Sequence, residues 1–322
     1  MTRPLVLGTR GSELALAQAH LTEAALAEAG YPVRIEVIQT IGDKRPDLNL
    51  SEFSQGENPV ADKGIFTKEL EEALLRRDID FAVHSLKDVP TVLGPEFEIC
   101  ATLPRADIAD VFLTTQQGWF PDLTLLGGRT IATSAVRRAR QLRWLSPQVN
   151  VVDIRGNVPT RIRKLIASEE WDGTLLARAG LERLGIYTPG QDHFEFEGAT
   201  VQALELPLLD FLPAAGQGAV GMEILRDNDT ARQALAAINH GRTFTRVTAE
   251  RAFLHALKAG CQTPVGAHTW FESGESILAM AVRVFNEAAP EAEPFIAEVR
   301  GPADAPTGLA DQLMALMAVP LF

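Results

Sequence analysis

The sequence predicts an α/β protein of more than one domain, and three observations carry that expectation. At 322 residues the chain is longer than one ordinary hydrophobic core supports. Short apolar runs alternate with helical stretches, the pattern of parallel strands joined by crossover helices. The plan of the N-terminus, a strand, then a turn bearing hydroxyl and arginine groups, then a helix, comes a second time after Arg129.

Leu5-Val6-Leu7-Gly8 reads as the first strand, and Ser12 as the N-cap of a helix through Leu14, Leu16, Leu21 and Leu26 that stops at Gly30. Arg10 and Ser12 then lie on a strand-to-helix turn whose free N–H groups suit an anion; the plainer alternative is a cap beside a solvated arginine. A second strand over 33–39 precedes a polar run from Thr40 to Ala61, too long for an ordinary connection and expected to be a lid or disordered. A helix over 66–77 leads into Phe81-Ala82-Val83-His84-Ser85-Leu86-Lys87-Asp88-Val89-Pro90, a buried strand stopped by proline. Lys87 and Asp88 thus sit at a strand's C-terminal end, where open α/β sheets bind ligands, although a solvated ion pair would look the same. His84 reads as a hydrogen-bonded structural residue, and Cys100 as a core residue of the strand 98–103.

The repeated unit begins near Asp107, with strands at 111–113 and 129–133 and a helix 135–145 capped by Ser134. Facing copies of such a unit would line a cleft with two anion-binding turns. Arginine is dense from 129 to 183, and Arg155 follows a strand over 149–154, with Gly156-Asn157 turning the chain into a helix that carries Arg161. Guanidinium forks match carboxylates two bonds at a time, so a small polycarboxylate fits this cluster. Aromatic residues are not interleaved with it, and the net charge of −12 disfavours a nucleic-acid or anionic-membrane surface. The glycine-rich crossing Ala215-Gly216-Gln217-Gly218 spells neither a phosphate loop nor a dinucleotide fingerprint, leaving close backbone approach or a hinge. A last unit holds a helix 243–258, Cys261 in a loop bounded by Gly and Pro, strands 277–284 and 295–299, and a terminal helix from about 309. A loop thiol is an available nucleophile, although a lone one is commonly inert. The N-terminal apolar run is too short for a signal peptide and none approaches the roughly 18 residues of a membrane span, which points to the cytoplasm. Two cysteines make no disulfide framework, and the six histidines form no metal-ligand spacing.

Several segments together resemble the porphobilinogen deaminase (hydroxymethylbilane synthase) family. They are Thr9-Arg10-Gly11-Ser12, Lys63-Gly64-Ile65-Phe66-Thr67-Lys68-Glu69-Leu70, Ala82 to Pro90, Arg155-Gly156-Asn157-Val158-Pro159-Thr160-Arg161, Ala215 to Ala219, Arg246-Val247-Thr248-Ala249-Glu250-Arg251-Ala252 and Gly260-Cys261-Gln262. Each is weak alone, and their order is specific. The resemblance implies two similar doubly wound α/β lobes forming a periplasmic-binding-protein-like cleft plus a smaller C-terminal α/β domain, divided as 1–104 with 219–238, 105–218 and 239–322. It implies a dipyrromethane cofactor in thioether linkage to Cys261, to which four porphobilinogens are added with loss of ammonia before the linear tetrapyrrole is released. Asp88 matches the catalytic aspartate. Lys87, Thr133, Ser134, Arg137, Arg138, Arg155 and Gly156 are implied for the cofactor, and Arg10, Ser12, Gln18, Lys63, Phe66, Arg161, Arg183 and Gln217 for the substrate. A monomer with no nucleic-acid or membrane partner is expected. Ala135 departs from a common serine, Asp62 from a glycine in the lid, and Arg178 from a small apolar residue. The rival readings are a two-lobed small-anion binding protein and a family member that has lost turnover.

Overall fold

Runs of apolar residues closed by glycine, proline or a capping side chain become the strands at the centre of two sheets. The computed structural model describes residues 3–40, 67–119, 122–259, 263–289 and 291–317. The chain gathers into two compact units, Met1–Ala106 with Gly216–Cys261, and Asp107–Ala215 with Gln262–Phe322.

In the first unit β1 (Leu5–Thr9) is buried throughout, and α1 (Glu13–Glu28) starts where Ser12 Oγ accepts from Ala15 N. There follow β2 (Val33–Val37), α2 (Lys68–Leu75), β3 (Phe81–Ser85), a single 3-10 turn at Leu86–Asp88, and β4 (Phe97–Thr102). The second unit begins with β5 (Asp110–Thr114), β6 (Thr130–Ala132), α3 (Val136–Leu145), β7 (Asn150–Val152) and α4 (Val158–Ala167). It continues through β8 (Gly173–Ala177), α5 (Arg178–Arg183) and the hairpin of β9 (His193–Phe196) and β10 (Ala199–Glu205). The chain then returns to the first unit with β11 (Val220–Leu225), α6 (Asp229–Ala236) and α7 (Gly241–Ala256). Finally β12 (Val265–Glu272), β13 (Ile277–Val284), β14 (Phe295–Pro302) and α8 (Gly308–Leu316) complete the second unit.

The first sheet runs β2-β1-β3-β11-β4 and the second β7-β6-β8-β5-β10-β9. Both have three parallel strands followed by an antiparallel one: β11 against β3, and β5 against β8. The repeat expected from the sequence is therefore a repeat of topology. In β1 and β3 almost every side chain is buried, as parallel strands covered on both faces require. Leu7, Phe81 and Met222, all 0% exposed, form the centre of the first core.

A third sheet, β12-β13-β14, is antiparallel. Within the second unit Arg283 of β13 fixes it in place, donating to Gln141 Oε1 (3.0 Å) and to the carbonyls of Asp210 (2.8 Å) and Leu209 (3.2 Å). Its guanidinium also lies 4.4 Å from the centroid of Trp144. The segment 239–322 is thus shared between the units, α7 in the first and the third sheet in the second. Among the described residues no helix is long and apolar enough to cross a membrane.

Candidate active site

Because β1 and β3 are adjacent and parallel, the turns that follow them come out at the same edge of the first sheet. The turn after β1 carries Arg10 and Ser12, and the one after β3 carries Lys87 and Asp88. Leu86, 1% exposed, anchors the second turn in the core and leaves Asp88 exposed with Lys87 half-buried beside it. Between the two lies a pocket lined by Arg10, Ser12, Leu14, Ala15, Gln18, Thr67, Val83, His84, Ser85 and Asp88. Gln18, on the second turn of α1, reaches across to donate to Ser85 Oγ at 2.7 Å. Four residues expected in the site, Arg10, Ser12, Gln18 and Asp88, therefore meet around one pocket. Thr67 and Ser85 join them without having been expected there, and His84, read from the sequence as a hydrogen-bonded structural residue, lines the pocket as well.

The glycine-rich crossing supports the Asp88 turn from behind. Gly216 has φ +73°, and a Cβ there would stand 3.1 Å from Lys87 N. Its N–H donates to Glu250 Oε2 (2.7 Å), and Arg105 donates to both oxygens of that carboxylate (2.7 and 2.8 Å) and, through Nε, to Gln217 O (2.9 Å). Burial pushes Glu250 up, but the Arg105 charge and hydrogen bonds outweigh it and hold the carboxyl below its usual range. Gln217 is 1% exposed in this layer. Of the two alternatives for the crossing, close backbone approach is what the structure shows.

In the second unit the expected cap is corrected. Helix α3 starts at Val136 with Ala135 as its N-cap and no side-chain cap bond. Ser134 Oγ instead donates to Ile154 O (2.6 Å) and accepts from Ile154 N (3.0 Å), tying the start of α3 to the loop after β7. Two bonds to a backbone that would otherwise be unpaired outweigh one cap bond. Thr133, 2% exposed, accepts from Ala135 N at 3.3 Å.

Arg137 and Arg138 are 7% and 5% exposed, and both hold Asp110, which is fully buried. Arg137 Nη1 donates to Asp110 Oδ2 and to Leu212 O, each at 2.7 Å; Arg138 donates to Asp110 Oδ1 through Nη2 (2.8 Å) and Nε (3.2 Å), and to Leu175 O (2.8 Å). Two guanidiniums share one carboxylate, so the cluster carries an excess positive charge. Nε and Nη2 of Arg137 make no hydrogen bond among the described residues. Burial of Asp110 would raise its pKa, but Arg137 and then Arg138 together drive it well below the carboxylate range.

Arg155 is partly exposed, with Asp153 at 3.9 Å. Gly156 has φ +118°, and a Cβ would strike Thr160 Cγ2 at 2.5 Å, so the turn requires glycine. Arg161 Nε donates to Gly156 O at 2.7 Å, tying that turn to the first turn of α4. Arg183 ends α5, where burial brings its pKa down to about 10. Arg178, which departs from a small apolar residue, is engaged by Asp107, Glu182 and Glu205. Cys100 is partly buried and packs against the first core, its thiol pushed up to about 12 by burial and then by Glu98. Lys63, Phe66 and Cys261, and the run from Thr40 to Ala61 beyond its first residue, lie outside the described residues.

A family model described as "Porphobilinogen deaminase, dipyromethane cofactor binding domain" matches residues 5–233, and one described as "Porphobilinogen deaminase, C-terminal domain" matches residues 244–317. A porphobilinogen deaminase of Syntrophobacter fumaroxidans is 40% identical over 279 residues, covering 86% of this chain and 83% of the relative. One of Rubrobacter xylanophilus is 41% identical over 289 residues, covering 90% and 87%. Among solved structures, the periplasmic VFT2 domain of Bordetella pertussis BvgS is similar with a TM-score of 0.39 at 15% identity, covering 76% of this chain and 93% of that one.

Proposed function

This chain belongs to the porphobilinogen deaminase family, and we propose that it makes hydroxymethylbilane with Asp88 as its catalytic carboxylate. The reaction joins four porphobilinogens head to tail with loss of ammonia at each step. The observation that carries the assignment is the pocket where Arg10, Ser12, Gln18 and Asp88 meet. Each porphobilinogen has an acetate and a propionate, so its binding calls for donors. Arg10 supplies a guanidinium, and Ser12 a hydroxyl and the N-terminal end of α1. When the aminomethyl C–N bond breaks, its electron pair leaves with ammonia and positive charge spreads over the pyrrole as far as its nitrogen. Asp88 is a fixed negative charge for that cation and an acceptor for the pyrrole N–H.

The family's dipyrromethane brings four carboxylates, and the second unit suits it on one structural ground. The buried Arg137, Arg138 and Asp110 cluster has one positive charge too many, and a buried excess charge is stable only opposite an anion. The unengaged Nε and Nη2 fork of Arg137 is the donor set a carboxylate would take, with Arg155 as a second guanidinium. We assign Thr133, Ser134, Gly156 and Lys87 to the same group, and Cys261 to its thioether. Once bound, the dipyrromethane supplies the free pyrrole carbon from which the chain is extended. Arg161, Arg183, Gln217, Lys63 and Phe66 are assigned to the growing product. We place the enzyme in the cytoplasm as a monomer without nucleic-acid or membrane partners, in keeping with its net charge of −12.

Asp88→Asn tests the assignment. Asp88 is exposed, so the fold should be unchanged to within about 0.5 kcal/mol, while turnover should fall roughly 100- to 1000-fold. Normal turnover would remove Asp88 from the chemistry and the pocket from the reaction.

A further inference from the structure

The same pocket is lined by His84, which none of the steps above uses. His84 lies in β3 opposite Gly221 of β11 and is 7% exposed. Two residues along β11, Glu223 is completely buried, and its Oε2 stands 2.9 Å from His84 Nε2. An ionised carboxylate only accepts, so the ring nitrogen that faces it carries the hydrogen. In the neutral imidazole the other nitrogen, Nδ1, then holds the lone pair, and it makes no hydrogen bond among the described residues. Glu223 Oε1 has no hydrogen-bond partner among the described residues, which leaves the imidazole as the group opposite its charge.

Charged groups face this ring from more than one element. Glu223 faces it from β11 and Asp88 stands on the pocket side, with Arg10 the opposing cation there. On α2, Glu71 has its pKa raised by burial and by Glu223, while the interaction with His84 lowers it. A buried carboxylate behind an imidazole fixes its tautomer and stabilises its protonated form, the arrangement general bases use.

We propose that His84, oriented by Glu223, is the base that removes the pyrrole α-proton each time a carbon–carbon bond is made; this rests on the pocket being the active site. In each round after the first, the acceptor is the free α-carbon of the porphobilinogen unit added before it. Its π pair forms a bond to the methylene of the incoming porphobilinogen, whose C–N pair has left on ammonia. The acceptor carbon then carries both the new bond and its hydrogen. The C–H pair returns to the ring, the proton passes to His84 Nδ1, and the imidazolium releases it to water before the next round.

The test uses the holoenzyme and porphobilinogen deuterated at its free α-carbon. His84→Gln should lower turnover about 100-fold or more and enlarge the deuterium isotope effect over wild type, because proton removal becomes the slow step. Glu223→Gln keeps the hydrogen bond but loses the charge, and should enlarge the isotope effect with a smaller loss of rate. Slower turnover with an unchanged isotope effect in both variants would overturn the proposal; should His84→Gln fail to fold, Glu223→Gln alone decides by the same criterion. Nitrogen-15 NMR of the protein without substrate gives a second readout: His84 should be protonated at Nε2 and bare at Nδ1, and the opposite tautomer would overturn the proposal. An inactive Asp88→Asn beside a fully normal His84→Gln would reject the base and keep the site, whereas an active Asp88→Asn would reject the site itself.

Discussion

Asp110→Asn replaces the one carboxylate between two buried guanidiniums by a neutral side chain of nearly the same shape. Arg137 and Arg138 contact it at 2.7 and 2.8 Å, and their side chains are 7% and 6% exposed, so water cannot take its place. Removing one partner of a buried ion pair costs about 3–5 kcal/mol, and here two like charges are left facing each other. All four tryptophans, Trp119, Trp144, Trp171 and Trp270, are in the second unit, so tryptophan fluorescence follows that unit's unfolding in urea. With a slope near 2 kcal/mol per molar urea, the midpoint should fall by roughly 2 M. The dependence on pH has a definite sign. Asp110 titrates lower in the folded chain than in the unfolded one, so its contribution is fully present above the unfolded value near 3.9 and fades only as pH falls toward the folded value. The gap between wild type and variant should stay constant from pH 8 to about 5 and narrow only below about 4. A loss under about 1 kcal/mol, or a gap already closed at pH 5.5, would refute the ion-pair reasoning.

Gly216→Ala puts a side chain at φ +73° and 3.1 Å from Lys87 N. It should cost about 1–3 kcal/mol in calorimetry and slow turnover by shifting the Asp88 turn; full activity would mean that the crossing does not set the turn. Arg155→Ala leaves a cofactor carboxylate without its partner, which should cost about 2–3 kcal/mol and show as slower turnover. Steady-state kinetics identical to wild type would put Arg155 outside the binding surface.

How far the sequence could be read depended on the range of the interactions involved. Ser12 capping α1, the burial of β3 and its stop at Pro90, and the glycine turn at 156 are set by neighbours within a few residues, and the structure agrees with them. Ser134 looks like a cap from its position alone, and only the approach of Ile154, 20 residues on, shows where its hydroxyl goes. Strands β8, β9, β10 and β12 escaped because a short run can serve helix or strand until its partners are known. Asp110 had a signal that could have been used, a charged residue opening an apolar strand, but its arginines come 27 and 28 residues later. His84 had none, because Glu223 is 139 residues away.

The most direct measurement is the intact mass of the purified chain and of Cys261→Ala. The wild-type chain should exceed the mass of its sequence by two condensed pyrroles, and Cys261→Ala should weigh only its sequence. A wild-type chain that stays bare after incubation with porphobilinogen, or an adduct that survives in Cys261→Ala, would contradict the account.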